Sequence, residues 1–318
     1  MTERPTGVLV MAHGTPASRD EIESFYTSIR RGRPPTPELL SDLVGRYDAI
    51  GGTSPLREHT DAQVRGLAAA LDAGAPGRFV VRYGAKHTAP SIEDGLADLA
   101  EAGVSRVVGL VLTPHRSAAG TDQYLERAAR AASSVEPPIE LLAVPSWFRA
   151  PGFAPILADR VREQLERLPE PDRARCEVIF TAHSVPSRAA EGGDPYADEV
   201  TESAKEIAAQ AGLAHWRVAW QSAGRTAEEW LGPNLLDEIR AVAAGGAPAV
   251  VVCPVGFVAD HLEVLFDLDI EAAQVATSAG IPFARTASLN DDPRFLSVLA
   301  DVVSGAASSD RGHERPAP

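Results

Sequence analysis

The sequence predicts an α/β protein made of two similar Rossmann-like domains, each a four-stranded parallel sheet flanked by helices, with a ligand cleft between them. Three observations predict it. Apolar runs of strand length alternate with helical patterns along the chain, and such alternation builds parallel sheets covered on both faces. The alternation runs through both halves, with a comparable set of apolar runs in each. Several runs end in a histidine, at His13, His87, His115 and His183. Open α/β sheets bind ligands outside the carboxyl ends of their strands, so these histidines point to one functional rim.

The first half opens with GVLVMAHGTP (7–16), a strand feeding a loop. Residues 20–31 carry an amphipathic helical pattern with Asp20 as its cap. GRPPTP breaks that helix, ELLSDLVGRYDAI starts another, and GGTSP (51–55) has turn chemistry. LREHTDAQVRGLAAALDAG predicts a helix closing at Gly74. Strand RFVVRYGAKH, helix SIEDGLADLAEAG, strand SRVVGLVLTPH, helix TDQYLERAARAAS and strand IELLAVPSW complete the half.

The second half starts with helix FAPILADRVREQLERL and strand CEVIFTAHSVP. A polar, Gly-rich loop RAAEGGDP follows, then helix YADEVTESAKEIAAQAG, strand WRVAWQS and a helical region AEEWLGPNLLDEIRAVAAGG. Strand APAVVVCPVGF leads into an acidic helix, and IPFARTASLN forms a short strand. The expected domain limits are 1–147 and 148–289. A last helix at 290–305 is free to return to the first domain, and 306–318 reads as a disordered polar tail.

Composition excludes several function classes. The chain has 318 residues and a net charge of −14, which argues against nucleic acid and anionic membrane surfaces as partners. No apolar run approaches membrane-spanning length and MTERPTG lacks the features of a signal peptide, so a cytoplasmic location without integral membrane association is expected. Cys176 and Cys253 form no CxxC pair and are too few for a four-cysteine cluster. GxGxxG, P-loop, GxSxG and HExxH signatures are missing. Nothing marks an obligate interface, so a monomer is the default expectation.

The chemistry-bearing stretch is VVVCPVGFVADHLEVLFDLDIE (250–271). Glu263, Asp267 and Glu271 fall at i, i+4 and i+8, one row on an α-helix. At 1.5 Å per residue the row spans about 12 Å, too long for one coordination sphere. It reads as a path for cations or protons, or as a solvated acidic face. His183, in TAHSVP just past a strand, pairs naturally with Glu263. One imidazole and one carboxylate suit a divalent metal such as Fe²⁺, or proton transfer near neutral pH. The alternative for His183 is a histidine bonded to a loop backbone. Asp267 beside Glu263 is expected to make Glu263 harder to ionise.

Arg30, Arg31, Arg33 and Arg46, with Tyr26 and Tyr47, read as a carboxylate-binding rim or as a solvated basic helix end. Trp147, Trp220, Trp230 and Tyr124 are candidates to flank a planar ligand, or core.

Four stretches together resemble one family: FYTSIRRGRPPTPELLSDLVGRYDAIGGTSPL (25–56), TAHSVP with GDPY (181–196), WQSAGRT with WLGP (220–233), and PVGFVADHLEVLFDLDIE (254–271). The chain is similar to the ferrochelatases from about Gly7 to Phe295, most closely to the bacterial coproporphyrin III ferrochelatases. The resemblance implies a chelatase-like fold with a porphyrin in the cleft and Fe²⁺ as substrate. It implies that His183 and Glu263 are the iron-site pair, and that Asp267 and Glu271 belong to an acidic row delivering metal or removing protons. Arg30, Arg46, Tyr47, Ser54 and Tyr124 match positions that contact the porphyrin and its propionates.

Coproporphyrin III is the implied porphyrin; protoporphyrin IX, or a non-catalytic haem or metal carrier, are the alternatives. Mg²⁺ is a further candidate for the acidic row, and transient contact with other haem-pathway enzymes is expected. Two departures stand out. His13 occupies a position where close relatives have tyrosine, so it is expected either to approach the product iron or only to line the pocket. Members with a [2Fe–2S] cluster use four cysteines, so no iron–sulfur cluster is expected here.

Overall fold

The computed structural model describes residues 4–224 and 228–309, with residues 190–191 described by backbone only. Arg225 and Thr226 of the WQSAGRT stretch, and 310–318 of the tail, lie outside the described residues.

Strand β1 (Thr6–Ala12) is followed by a 3₁₀ turn (Arg19–Glu21) and helices α1 (Ile22–Ile29), α2 (Pro37–Ala49) and α3 (Leu56–Gly74). Then come β2 (Phe79–Ala85), α4 (Ile92–Glu101), β3 (Arg106–Val111), α5 (Thr121–Ser134) and β4 (Glu140–Val144). The second half holds α6 (Phe153–Leu165), α7 (Glu170–Arg173), β5 (Glu177–His183), α8 (Ser187–Glu191), α9 (Tyr196–Ala211) and β6 (Trp216–Gln221). It continues with α10 (Leu235–Ala244), β7 (Val250–Cys253), a π-helix (Val264–Ala272), α11 (Ala273–Ser278), β8 (Phe283–Arg285) and α12 (Pro293–Ser309).

The strands form two four-stranded sheets, β2-β1-β3-β4 and β6-β5-β7-β8, paired in parallel throughout. Both orders reverse direction beside the first strand of the set, between β1 and β3 and between β5 and β7. Such reversal points open a crevice at the strand ends. His13 follows β1 directly and His183 ends β5, so the two histidines occupy equivalent switch points.

Parallel strands must be apolar on both faces, because helices cover both. In β1, Val8 and Val10 join an apolar cluster on one face while Leu9 and Met11 join another on the opposite face. The first of these clusters is continuous between the sheets. It runs from Val8, Val108 and Leu110 through Trp147, Phe148, Phe153 and Phe295 to Val178, Phe180 and Val251. The relative placement of the halves therefore rests on buried apolar contact on one side, which leaves the cleft on the other. Helix α6 packs on α9 and β7, whereas α12 packs on α3, β3, β4 and α6. At the α3–α12 contact a Cβ on Gly66 would sit 2.2 Å from Leu296 Cδ1, so a larger residue there would have to turn the leucine aside.

Several local expectations are corrected. Asp20 sits inside the 3₁₀ turn and does not cap α1. The RAAEGGDP loop contains the short helix α8. Helix α10 begins only at Leu235, after Pro233, with the Asn234 side chain capping Leu236 N at 2.9 Å. The tail expected from 306 is helical to Ser309, because Ala307 is buried in the shared cluster. Trp147 and Trp220 are core residues, and the Trp147 indole donates to Val111 O at 2.9 Å.

Phe295 is fully buried, tilted against Trp147 with ring centroids 5.8 Å apart. Phe295→Ala should cost about 3–5 kcal/mol, the usual range for deleting a buried aromatic. Denaturant unfolding measures this, and a loss below about 1 kcal/mol would show that α12 contributes little to joining the halves.

Candidate active site

The C-terminal edges of the two sheets face one cleft, and a carboxylate sits at its centre. Glu263 lies between two imidazoles: its Oε1 is 3.5 Å from His183 Nε2, and its Oε2 is 3.5 Å from His261 Nε2. Both rings are aimed through their other nitrogen. His183 Nδ1 donates to Ser184 O at 2.5 Å, and His261 Nδ1 donates to Ala259 O at 3.2 Å. His261 also packs against Phe257 in a tilted contact, with centroids 4.9 Å apart. A backbone contact at Nδ1 leaves Nε2 to face the carboxylate.

This arrangement reverses the expected titration of the acids. Burial alone would raise Glu263, but His183 and His261 outweigh it and hold the carboxyl well below its usual range. Burial alone would lower His183, but Glu263, the Ser184 carbonyl and Asp267 lift it to about 9. The group made hard to ionise is Asp267, raised to about 6 by burial and by the charge of Glu263, against a Ser222 hydrogen bond and Arg46. The physical reason is partner count. Glu263 has two imidazoles, while Asp267 Oδ1 has no hydrogen bond and only a 3.6 Å ion pair to Arg46.

Glu263, Asp267 and Glu271 do not lie on a regular α-helix, because Val264–Ala272 winds as a π-helix. Its i→i+5 bonds make a wider, shorter coil, a form concentrated at functional sites. Asp267 is buried, while Glu263 and Glu271 are half-buried. Glu271 opens onto an outer groove of about 410 Å³ that it lines with Arg240 and Gln274. Ser222 Oγ donates to Asp267 Oδ2, from a left-handed backbone at φ 58°. A non-glycine residue held there is strained, and such strain collects at functional sites.

The opposite wall comes from the first half. His13 is exposed to the cleft, with Nδ1 donating to Gly14 O at 3.2 Å. Confinement among protein atoms lowers its pKa, so the ring is neutral, and the Glu263 charge acts on it across the cleft. Its ring lies 4.7 Å from His87 and 5.7 Å from Phe25, centroid to centroid. Tyr47 is buried, 3.4 Å from Thr15 Oγ1, and burial chiefly pushes its hydroxyl up to about 12. Arg46 crosses the cleft, with its guanidinium 4.9 Å from the Phe266 ring centroid and ion-paired with Asp267 and Asp42.

The other expected residues stand in separate local settings, and Tyr124 belongs to the apolar cluster of Leu9 and Met11. Arg30 lies over Tyr26 at 5.7 Å and its Nε donates to Arg33 O. Tyr124 is buried beneath Lys86, whose Nζ is 4.9 Å from the ring centroid. Ser54 is buried and its hydroxyl oxygen accepts from Leu56 N at 3.3 Å, at the start of α3. Trp230 lies 6.4 Å from His183 between ring centroids.

His115 is not on the rim. It is fully buried, with Nε2 2.8 Å from Ser203 Oγ of α9, and clamps the two halves together. The sequence does not single out His261 and Ser222. Both lie in the matched stretches, but nothing in their spacing says that one flanks Glu263 and the other bonds Asp267. Among the described residues no three His, Cys, Asp or Glu side chains converge as a ready-made metal cage. The arrangement can hold one cation transiently between a carboxylate and imidazoles, and can move protons from it along the acids.

The ferrochelatase family profile matches residues 5–307. A protein named ferrochelatase from Herpetosiphon aurantiacus is 42% identical over 300 residues, covering 94% of this chain and 98% of its own. Proteins named coproporphyrin III ferrochelatase from Geobacillus kaustophilus and Bacillus subtilis are each 42% identical over 305 residues. They cover 95% of this chain and 96% and 98% of their own lengths. Among solved structures, SirB from Bacillus subtilis with Fe³⁺ overlays 97% of this chain and 98% of its own, with a TM-score of 0.59 at 12% identity, a likeness of fold.

The coupled pair makes a pH prediction. A raised imidazole pKa stabilises the fold below the unfolded value of 6.5, and this contribution fades as pH rises through about 9. The depressed Glu263 contributes above its ordinary value of 4.5 and loses that contribution as pH falls. Imidazole NMR should therefore find His183 protonated at neutral pH in the ligand-free protein. In Glu263→Gln the two largest opposing contributions are lost, burial is left against only the Ser184 carbonyl and Asp267, and the midpoint should fall well below that of the wild type. A neutral His183 in the wild type at pH 7 would refute the ion pair.

Proposed function

The chain belongs to the ferrochelatase family, and we propose that it inserts Fe²⁺ into coproporphyrin III to give Fe-coproporphyrin III in haem biosynthesis. The observation that carries this reading is the Glu263 carboxylate flanked by His183 and His261 and facing His13 and Tyr47 across a cleft. Insertion requires a site that accepts a divalent cation, releases it, and removes two pyrrole protons. A carboxylate with imidazole neighbours does both.

At rest the His183–Glu263 pair holds one proton, on the imidazole. An arriving Fe²⁺ bound by Glu263 repels that positive charge and drives the proton off. His183 then has a lone pair, either for the metal or for a pyrrole proton. Asp267, with a pKa of about 6, exchanges protons near neutrality, and Glu271 continues the row toward the outer groove. The row serves passage in this scheme, and Mg²⁺ is a further cation it would take. Cleft walls that favour a bent porphyrin over a flat one lower the barrier by differential binding.

The choice of coproporphyrin III is supported by the relatives' names and by charge. Coproporphyrin carries four propionates and protoporphyrin two. Arg30, Arg31, Arg33 and Arg46 are the proposed propionate partners; Arg46 reaches Asp267 and Phe266, and Lys86 feels the charge of Arg31. Guanidinium groups match carboxylates in a bidentate way. Tyr47, Ser54 and Tyr124 are assigned to the walls. His13, with Nδ1 engaged by Gly14, would have Nε2 available to the product iron, the alternative being that it lines the pocket. A reducing cytoplasm suits both Fe²⁺ and the two buried, unpaired cysteines. All these residues come from one chain, so a monomer suffices; contacts with other haem-pathway enzymes would be transient.

Anaerobic Fe²⁺ insertion, followed by absorbance with coproporphyrin III and protoporphyrin IX side by side, tests the assignment. The first should turn over faster; preference for the second would move the substrate, and tight haem binding without turnover would favour a carrier. His183→Ala should lower the rate at least about 100-fold, the typical scale of a lost acid–base group, with porphyrin affinity changed only a few-fold. His13→Ala should shift the absorption spectrum of bound product, and an unchanged spectrum would remove His13 from the iron.

A further inference from the structure

Glu263 and His261 sit on the segment between β7 and the π-helix, and a segment of this kind needs an anchor to aim a catalytic group. The anchor lies beneath it. Asn290 adopts a left-handed backbone at φ 45°. Asp260 N donates to its Oδ1 at 2.8 Å, and its Nδ2 donates to Asp260 Oδ2 at 3.1 Å. Its own backbone N donates to Val258 O at 2.8 Å. Asp260 Oδ1 also accepts from Ser288 Oγ at 2.7 Å and pairs with Arg285 at 3.1 Å. Arg285 in turn holds Asp269 of the π-helix at 2.6 Å.

One further contact ties this knot to the other half of the molecule. Gln63, on α3 and only 1% exposed, uses a single amide nitrogen on two carbonyls. It donates to Asn290 O at 2.8 Å and to Val258 O at 3.4 Å. The first turns of the same helix, through Leu56, Arg57 and Thr60, line a small pocket with Gly14 and Thr15, beside His13. The helix that abuts the His13 wall thus also holds the loop that presents Glu263.

We propose that Gln63 and Asn290 are positioning residues for iron insertion: through Val258 and Asp260 they set where Glu263 and His261 stand relative to the opposite wall of the cleft. Neither touches the reacting atoms. Their effect is on alignment, and displacement of a catalytic group by about 1 Å can cost about 100-fold in rate. A left-handed asparagine under a catalytic loop fits the pattern of strain kept at functional sites. The inference rests on the ferrochelatase reading.

The test compares wild type, Gln63→Leu and Asn290→Gly. The leucine removes both donated bonds at similar volume; the glycine keeps the left-handed backbone and loses the side-chain bonds. Iron insertion is measured per porphyrin-binding site, counted by titration with coproporphyrin III, so that unfolded protein does not enter the rate. The expected result is a fall of tenfold or more in kcat per site, with porphyrin affinity within about twofold of wild type. Gln63→Glu and Asn290→Asp, closer in shape, replace any variant that does not fold and should show the same split. A kcat per site within twofold of wild type would overturn the proposal and leave the knot a support of the fold. Absence of turnover in the wild type would instead overturn the functional reading, and this inference with it.

Discussion

The site depends on a half-buried carboxylate, Glu263, held 3.5 Å from each of two imidazoles. A lone carboxylate so enclosed would raise its pKa and take up a proton. Two imidazoles whose outer nitrogens are fixed on backbone carbonyls prevent that, and keep a negative charge ready in the cleft. The electrostatic cost passes to the next acid in the row. Asp267 is pushed to about 6, which converts a neighbouring carboxylate from a fixed charge into a group that exchanges protons near neutral pH.

The fold supplies the two walls between which that charge works. Both sheets use the same strand order, so each opens a crevice beside its first strand, and His13 and His183 come from corresponding places. The apolar cluster that runs through Trp147, Phe153 and Phe295 closes the sheets together on one side. The candidate site lies on the other side, where polar contacts such as Arg46 with Asp267 cross the gap. The division is between a side held by packing and a side bridged by ion pairs that a charged ligand can exchange.

The π-helix between these walls serves the same end. In a regular α-helix an i, i+4, i+8 row keeps to one face. The wider winding at Val264–Ala272 buries Asp267 while Glu263 faces the cleft and Glu271 reaches an outer groove. The three acids therefore stand in three environments, although the sequence spaces them evenly.

The amino-acid sequence by itself determined the strand–helix alternation, the two parallel sheets and the strand-end positions of His13 and His183; the strand order that makes those ends switch points came with the fold. The first three follow from apolar periodicity and short-range chain chemistry, which every local segment carries. The sequence also singled out Glu263, Asp267, Arg46 and Tyr47 by spacing and residue type, and the resemblance supplied their expected roles. The tertiary structure decided what each of them does electrically. Glu263 was expected to resist ionisation, and it does the reverse because His261 and His183 converge on it from different segments. His115 follows a strand as His183 does, yet it is buried against Ser203 of a distant helix. Gln63 shows nothing in its own stretch, and only folding brings it to carbonyls 195 and 227 residues away. Burial and charge partnership depend on every segment that surrounds a group, so no single stretch of sequence holds them.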